Sequence, residues 1–170
     1  MDQYSIALLL KPLVHNVYWN VELISKENLR TPRYWDGNSY AYVGIDQSKC
    51  SIAYVRELDD TETVKVDIGG CSPNYDRKLK LRIVVFIRDF SGSKNSFIES
   101  LINDLSFREI SIKKIISDSN KLVRFESDFG KKLTLMGSDL YIGIDLELMN
   151  ESNHCCPEVI DNCKKEPTCL

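Results

Sequence analysis

Apolar and polar side chains alternate every second residue along three long stretches of this chain, a rhythm that belongs to strands with one face in a core. In Lys78–Arg88, residues Leu79, Leu81, Ile83, Val85 and Ile87 share one parity; Lys78, Lys80 and Arg82 take the other, followed by Val84 and Phe86. Leu140, Ile142, Ile144, Leu146 and Leu148 alternate with Tyr141, Asp145 and Glu147, and Val17, Trp19, Val21 and Leu23 with Tyr18, Asn20 and Glu22. Shorter strands are expected at Ser5–Lys11, Tyr40–Asp46, Cys50–Arg56, Thr63–Ile68, Phe107–Ile116, Lys121–Ser127 and Lys132–Leu135. Turn-forming residues separate them, as at Asp36-Gly37-Asn38 and Gly137-Ser138-Asp139, and hairpins are expected after Ile116, Ser127 and Leu135. Ser93–Leu105 breaks the rhythm. Phe97, Ile98, Leu101, Ile102 and Leu105 form a helical stripe there, with Ser93 or Ser96 as cap. The pattern predicts a mainly β chain: an antiparallel β-sandwich with one or two short helices packed on it.

The 170 residues suit one domain, expected over 1–149, with 150–170 a cysteine-rich, flexible tail containing Pro157 and Pro167. Four of six cysteines (Cys155, Cys156, Cys163 and Cys169) fall in that tail beside His154, the others being Cys50 and Cys71. Adjacent Cys155-Cys156 departs from the usual zinc-ligand spacing, so no metal and no cofactor are expected. The start Met1-Asp2-Gln3 is acidic and the apolar run Ile6–Leu10 is short, unlike a secretory signal. Reduced thiols inside a cell follow as the expectation. A net charge of −3 lacks the basic excess of a dedicated nucleic-acid binder.

Catalytic signatures are sparse. Outside the tail the one histidine is His15, beside Pro12 and Asn16, which reads as a turn residue rather than a general base. Phosphate-loop, dinucleotide and hydrolase-elbow motifs are missing from the sequence. The chain therefore reads as a non-enzymatic binding protein. Lys26–Ser39 is the one extended connection, and its segment Arg30, Arg33, Tyr34, Trp35 and Asp36 carries residue types favoured at interface hot spots. That loop is the expected partner site. The alternative is a nucleic-acid face formed by Lys78, Lys80 and Arg82 on one side of a strand.

The run Asn74-Tyr75-Asp76-Arg77-Lys78-Leu79-Lys80-Leu81-Arg82-Ile83-Val84-Val85 resembles the central strand of the poxvirus host-range proteins that counter interferon-induced restriction. Segments Ser5–Leu10 and Val17–Ile24 occupy positions similar to that family's first strand pair. The resemblance implies a compact β-sandwich with short helices and no catalysis. It implies action in the host cell cytoplasm by binding a host protein, an interferon-induced SAM-domain restriction factor, through loops at one edge. The chain departs from the family pattern by a long insertion between Ser25 and Asn74 and by its cysteine-rich tail. No contact residue of the family carries over to a matching position.

Overall fold

A computed structural model describes residues 2–26, 29–45, 51–59, 62–66, 74–106, 110–118, 121–123, 125–127 and 134–150. The chain is mainly β, with helices α1 (Gln3–Leu10) and α2 (Lys94–Ser106). The strands are β1 (Asn16–Tyr18), β2 (Val21–Lys26), β3 (Leu29–Trp35), β4 (Tyr40–Tyr42), β5 (Gly44–Ile45), β6 (Ser51–Glu57), β7 (Glu62–Val66), β8 (Asn74–Ile87), β9 (Ser111–Ile116), β10 (Glu126–Ser127) and β11 (Leu140–Asn150). All six cysteines and the whole segment 151–170 lie outside the described residues.

The fourteen-residue β8 is the spine of a six-stranded sheet ordered β1-β6-β8-β11-β9. Its pairing with β11 runs from Leu140 opposite Ile87 to Asn150 opposite Arg77. On the other edge β6 and β7 follow one another, Ser51–Glu57 facing Ile87–Leu81 and Glu62–Val66 facing Lys78–Asn74. These two are one long strand interrupted after Glu57. The expected all-antiparallel order is not met: β1 joins β6 in parallel, as β10 joins β5, so the large sheet is mixed. A separate sheet, β2-β3-β4, is antiparallel throughout.

The alternation of β8 and β11 is realised on both faces. Leu79, Leu81, Ile83 and Val85 join Leu140, Ile142, Ile144, Leu146 and Leu148 beneath the helices, which contribute Ile6, Ala7, Leu10, Leu101 and Leu105. The opposite face carries Ile52, Tyr54, Val84, Phe86 and Tyr141, covered by Val21, Val43, Ile45, Leu122 and Phe125. Phe125 stands edge-on to Tyr54 at 5.3 Å, and the Tyr141 hydroxyl donates to the Val123 carbonyl.

Several expectations give way. Ser5–Lys11 is not a strand but the end of α1. Asp2 caps that helix, its carboxylate accepting from the Ser5 backbone N–H at 2.9 Å and the Ser5 hydroxyl at 2.7 Å. The caps hold the Asp2 carboxyl below its usual range, the backbone bond contributing most. The long run through Val17–Leu23 is cut at Asn20, whose φ of 54° turns the backbone left-handed and sends β1 and β2 to different sheets. No hairpin follows Ile116, because β9 pairs with β11 and β10 with β5. Among the described residues of Lys121–Ser127, Glu126–Ser127 alone is strand, and residues 134–135 of the expected last short strand are not. Helix α2 matches the expected Ser93–Leu105 closely, and the Ser93 carbonyl accepts the Phe97 N–H at 3.0 Å.

Ile83 is wholly buried at the centre of the spine. Ile83→Ala is expected to cost about 2–5 kcal/mol in chemical denaturation, whereas Ile115→Ala, on the more exposed β9, should cost about 1 kcal/mol or less.

Candidate functional site

The segment expected to be a loop is a strand. Arg30, Arg33, Tyr34 and Trp35 lie on β3, the middle strand of the small sheet, and Asp36 begins the turn after it. Pro32 argues for a loop in the sequence, since a central strand needs its donors. Here its carbonyl accepts from Val43, and its ring nitrogen turns the same way, just past the end of β4. The missing N–H thus costs one bond at the ladder's end and none toward β2.

Strand alternation divides the five expected residues between two faces. Arg33 and Trp35 emerge on the outer face, joined there by Glu22, Tyr40 and Tyr42 from the flanking strands. Arg30 and Tyr34 go to the other side. Tyr34 packs on Tyr18 with ring centroids 4.5 Å apart and lies against the second core, so it anchors the sheet. Asp36 is committed to the turn: its carboxylate accepts from the backbone of Asn38 at 2.8 Å and Ser39 at 2.7 Å, which holds its carboxyl below the usual range. Gly37, with φ of 102°, takes the conformation that turn requires.

On the outer face, Trp35, Tyr40 and Tyr42 are 49%, 47% and 49% exposed. Trp35 stands edge-on to Tyr40 at 5.1 Å, and the Arg33 guanidinium lies 4.1 Å above the Tyr40 ring. Glu22 holds both. Its carboxylate accepts from Arg33 Nη2 at 2.9 Å and from the Tyr40 hydroxyl at 3.2 Å. Three half-exposed rings thus surround Arg33, whose Nη2 is held by Glu22 while its Nε is buried without a hydrogen-bond partner. Tyr40, Tyr42 and Glu22 are not among the candidates the sequence singles out; the signal for the two tyrosines is the Tyr-Ala-Tyr alternation immediately after the Asp36 turn, and Glu22 joins them only through strand pairing.

Beside this patch opens a cavity of about 770 Å³ between β2 and the end of β6, lined among others by Leu23, Ser25, Arg30, Trp35, Arg56 and Asp59. Arg56 Nε is buried without a hydrogen-bond partner, as is the neighbouring Tyr54 hydroxyl. Burial presses the Arg56 pKa down and pushes that of Tyr54 above the ordinary phenol range.

Lys78, Lys80 and Arg82 share one face of β8, as expected, but acids of β11 meet them. Asp145 takes Arg82 in a two-pronged pair, with Nε at 2.6 Å and Nη2 at 2.8 Å. Glu147 lies 3.2 Å from both Lys78 and Lys113. Much of the row's charge is thereby balanced within the fold. A bulge places Lys113 there: the β9–β11 register shifts between Asp145 and Leu146, leaving Lys113 unpaired in the ladder.

His15 meets Ser51, a contact the sequence did not announce. Ser51 Oγ lies 2.8 Å from the ring Nδ1 and accepts the His15 backbone N–H at 3.0 Å. Ser51 is buried, and neither residue lines the cavity, so the pair ties the start of β1 to β6. Among the described residues no cluster of three or more histidine, cysteine or acidic side chains could hold a metal, and no helix is long and apolar enough to cross a membrane. No protein-family model, curated protein or solved structure matches the chain.

Burial alone would raise the Glu147 pKa, but hydrogen bonds and charge from Lys113 and Lys78 outweigh it and leave the carboxyl below its usual range. Its stabilisation is therefore present above the unfolded-state pKa of about 4.3 and is lost as pH falls through the lower folded-state value. Glu147→Gln should lose about 1 kcal/mol or less at neutral pH, solvent screening the partly exposed lysines, and match the parent chain in strong acid, read from denaturation curves across pH.

Proposed function

We propose that this chain is a non-catalytic binding protein, built as a β-sandwich, that grips a partner protein through the outer face of the β2-β3-β4 sheet. The observation that carries the reading is the exposed cluster of Trp35, Tyr40 and Tyr42 around Arg33. Tryptophan, tyrosine and arginine supply most of the energy at protein interfaces, and rigid rings lose little entropy on binding. The patch is already organised: Glu22 fixes Arg33 and Tyr40, and the Asp36 turn fixes the hairpin.

The resemblance of Asn74–Val85 to the poxvirus host-range strand supplies the partner class. We take it to be a host protein of the infected cell's cytoplasm, an interferon-induced SAM-domain restriction factor being the candidate. Nucleic acid is the less favoured partner, because Asp145 and Glu147 meet Arg82 and Lys78.

Affinity capture from interferon-treated cells tests this. The parent chain should retain a host protein, and Trp35→Ala should weaken that binding by about 2 kcal/mol or more with no change in melting temperature. Retention of no host protein, or equal retention by Trp35→Ala, would overturn the reading.

A further inference from the structure

The small sheet has an open edge, and its phase follows from two hydrogen bonds. Val43 N–H donates to the Pro32 carbonyl at 2.9 Å, and Asp36 N–H to the Ser39 carbonyl at 3.1 Å. Residues 32, 34 and 36 therefore turn their backbone groups toward β4, and Thr31 and Arg33 turn theirs toward β2. In the β2–β3 register Thr31 faces Ile24 and Arg33 faces Glu22. Ile24 and Glu22 thus bond inward, while Val21, Leu23 and Ser25 direct their N–H and C=O groups outward. Among the described residues no strand pairs with that side of β2. The cavity lies there, and Val21, Leu23 and Ser25 all line it.

Sheet edges left open in solution are ordinarily defended by proline, a bulge or an inward-pointing charge. Val21-Glu22-Leu23-Ile24-Ser25 has no proline, and its register with β3 is unbroken. Within that stretch Glu22 is the one charge, its carboxylate held on the outer face by Arg33 and Tyr40, and Lys26 closes the strand, so its charge stands at the end of the edge rather than along it. Across the cavity stands Arg56, which has a buried Nε without an acceptor, and Arg30 adds a second guanidinium. Glu57 and Asp59 are also present, so this wall is mixed in charge, but the unmatched buried group is a donor.

We infer that an extended peptide segment of a partner protein adds as a strand to the outer edge of β2, with a carboxylate side chain reaching Arg56. The backbone bonds would supply affinity, and the arginine would set register and choice. This inference concerns the sheet's edge and the aromatic patch its face, but the two adjoin, since Glu22, Trp35 and Tyr40 of the patch also line the cavity.

A phage-displayed library of random linear peptides, selected on the full chain, tests it. Enriched peptides should carry an acidic residue within an alternating β-branched run. Their synthetic copies should lose at least about tenfold in affinity to Arg56→Gln and to Ser25→Pro. The second substitution removes an outward N–H from an exposed position and leaves every β2–β3 bond in place. Circular dichroism of both variants reports retention of the fold, and Arg56→Gln carries the test alone if the proline variant unfolds. No enrichment overturns the inference. So does binding that both folded variants preserve, and so does self-association of the chain that Ser25→Pro abolishes, which would make a second copy the occupant. Loss of the host protein with Tyr42→Ala, a patch residue outside the cavity lining, with the selected peptides still bound, would uphold both surfaces. Failure of the selection alone leaves the aromatic patch untouched.

Discussion

Strand β8 is satisfied in every direction along Leu81–Ile87: β6 bonds one edge, β11 the other, and a core lies on each face. The rest of the structure depends on that arrangement. A strand buried on both faces can vary its polar parity only where charges find partners. Val84 and Phe86 serve the second core, and two residues earlier Arg82 enters the same face with Asp145 directly across from it. Partnering of this kind keeps a half-buried cation from destabilising the sheet, since the unpaired charge would bear its desolvation cost alone. The bulge at Lys113 serves the same purpose one row further along, bringing a second ammonium group to Glu147.

The small sheet is held to this frame by a few contacts. Val21 and Tyr34 reach the second core, and Gln3 of α1 accepts the Asn20 N–H at 2.9 Å where β2 begins. The alternation that fixes Tyr34 inward sends Arg33 and Trp35 outward, and toward the hairpin turn that outer face opens to solvent at Trp35, whereas Thr31 on the same parity is buried. Exposure of these rings is thus a consequence of register. Their order is a consequence of Glu22, whose carboxylate is engaged twice.

Long alternating runs were legible because each residue's parity agrees with burial: Leu79–Val85 and Leu140–Leu148 needed no tertiary information. Helix α2 was legible for a similar reason, its stripe being too regular for a strand. Short apolar runs were not. Ile6–Leu10 suits either state, and the Asp2 cap that decides for helix shows itself only when read against Ser5. Asn20 broke a run whose parity continues across the break, so pattern alone joined two strands of different sheets. Pro32 concealed β3, because whether its missing donor matters depends on where β4 ends. The candidate segment was therefore read as a loop where a strand runs, and three of the patch's five residues, Glu22, Tyr40 and Tyr42, come from strands that only pairing brings near. Strand pairing was out of reach as well, since β1–β6 in the large sheet and β5–β10 in a separate two-stranded sheet are non-local and parallel.

The interrupted partner of β8 gives that strand an uneven grip along its length. From Arg77 onward β11 bonds one edge, but among the described residues Asn74–Asp76 pair with β7 alone. Opening that tip breaks one ladder, whereas opening the stretch opposite β6 breaks two and exposes both cores. One continuous strand thus spans two levels of local stability. Its amides would exchange with solvent deuterium in a gradient, quickest at the tip and slowest beside Ile83, so that the hairpin end can fray while the spine stays shut.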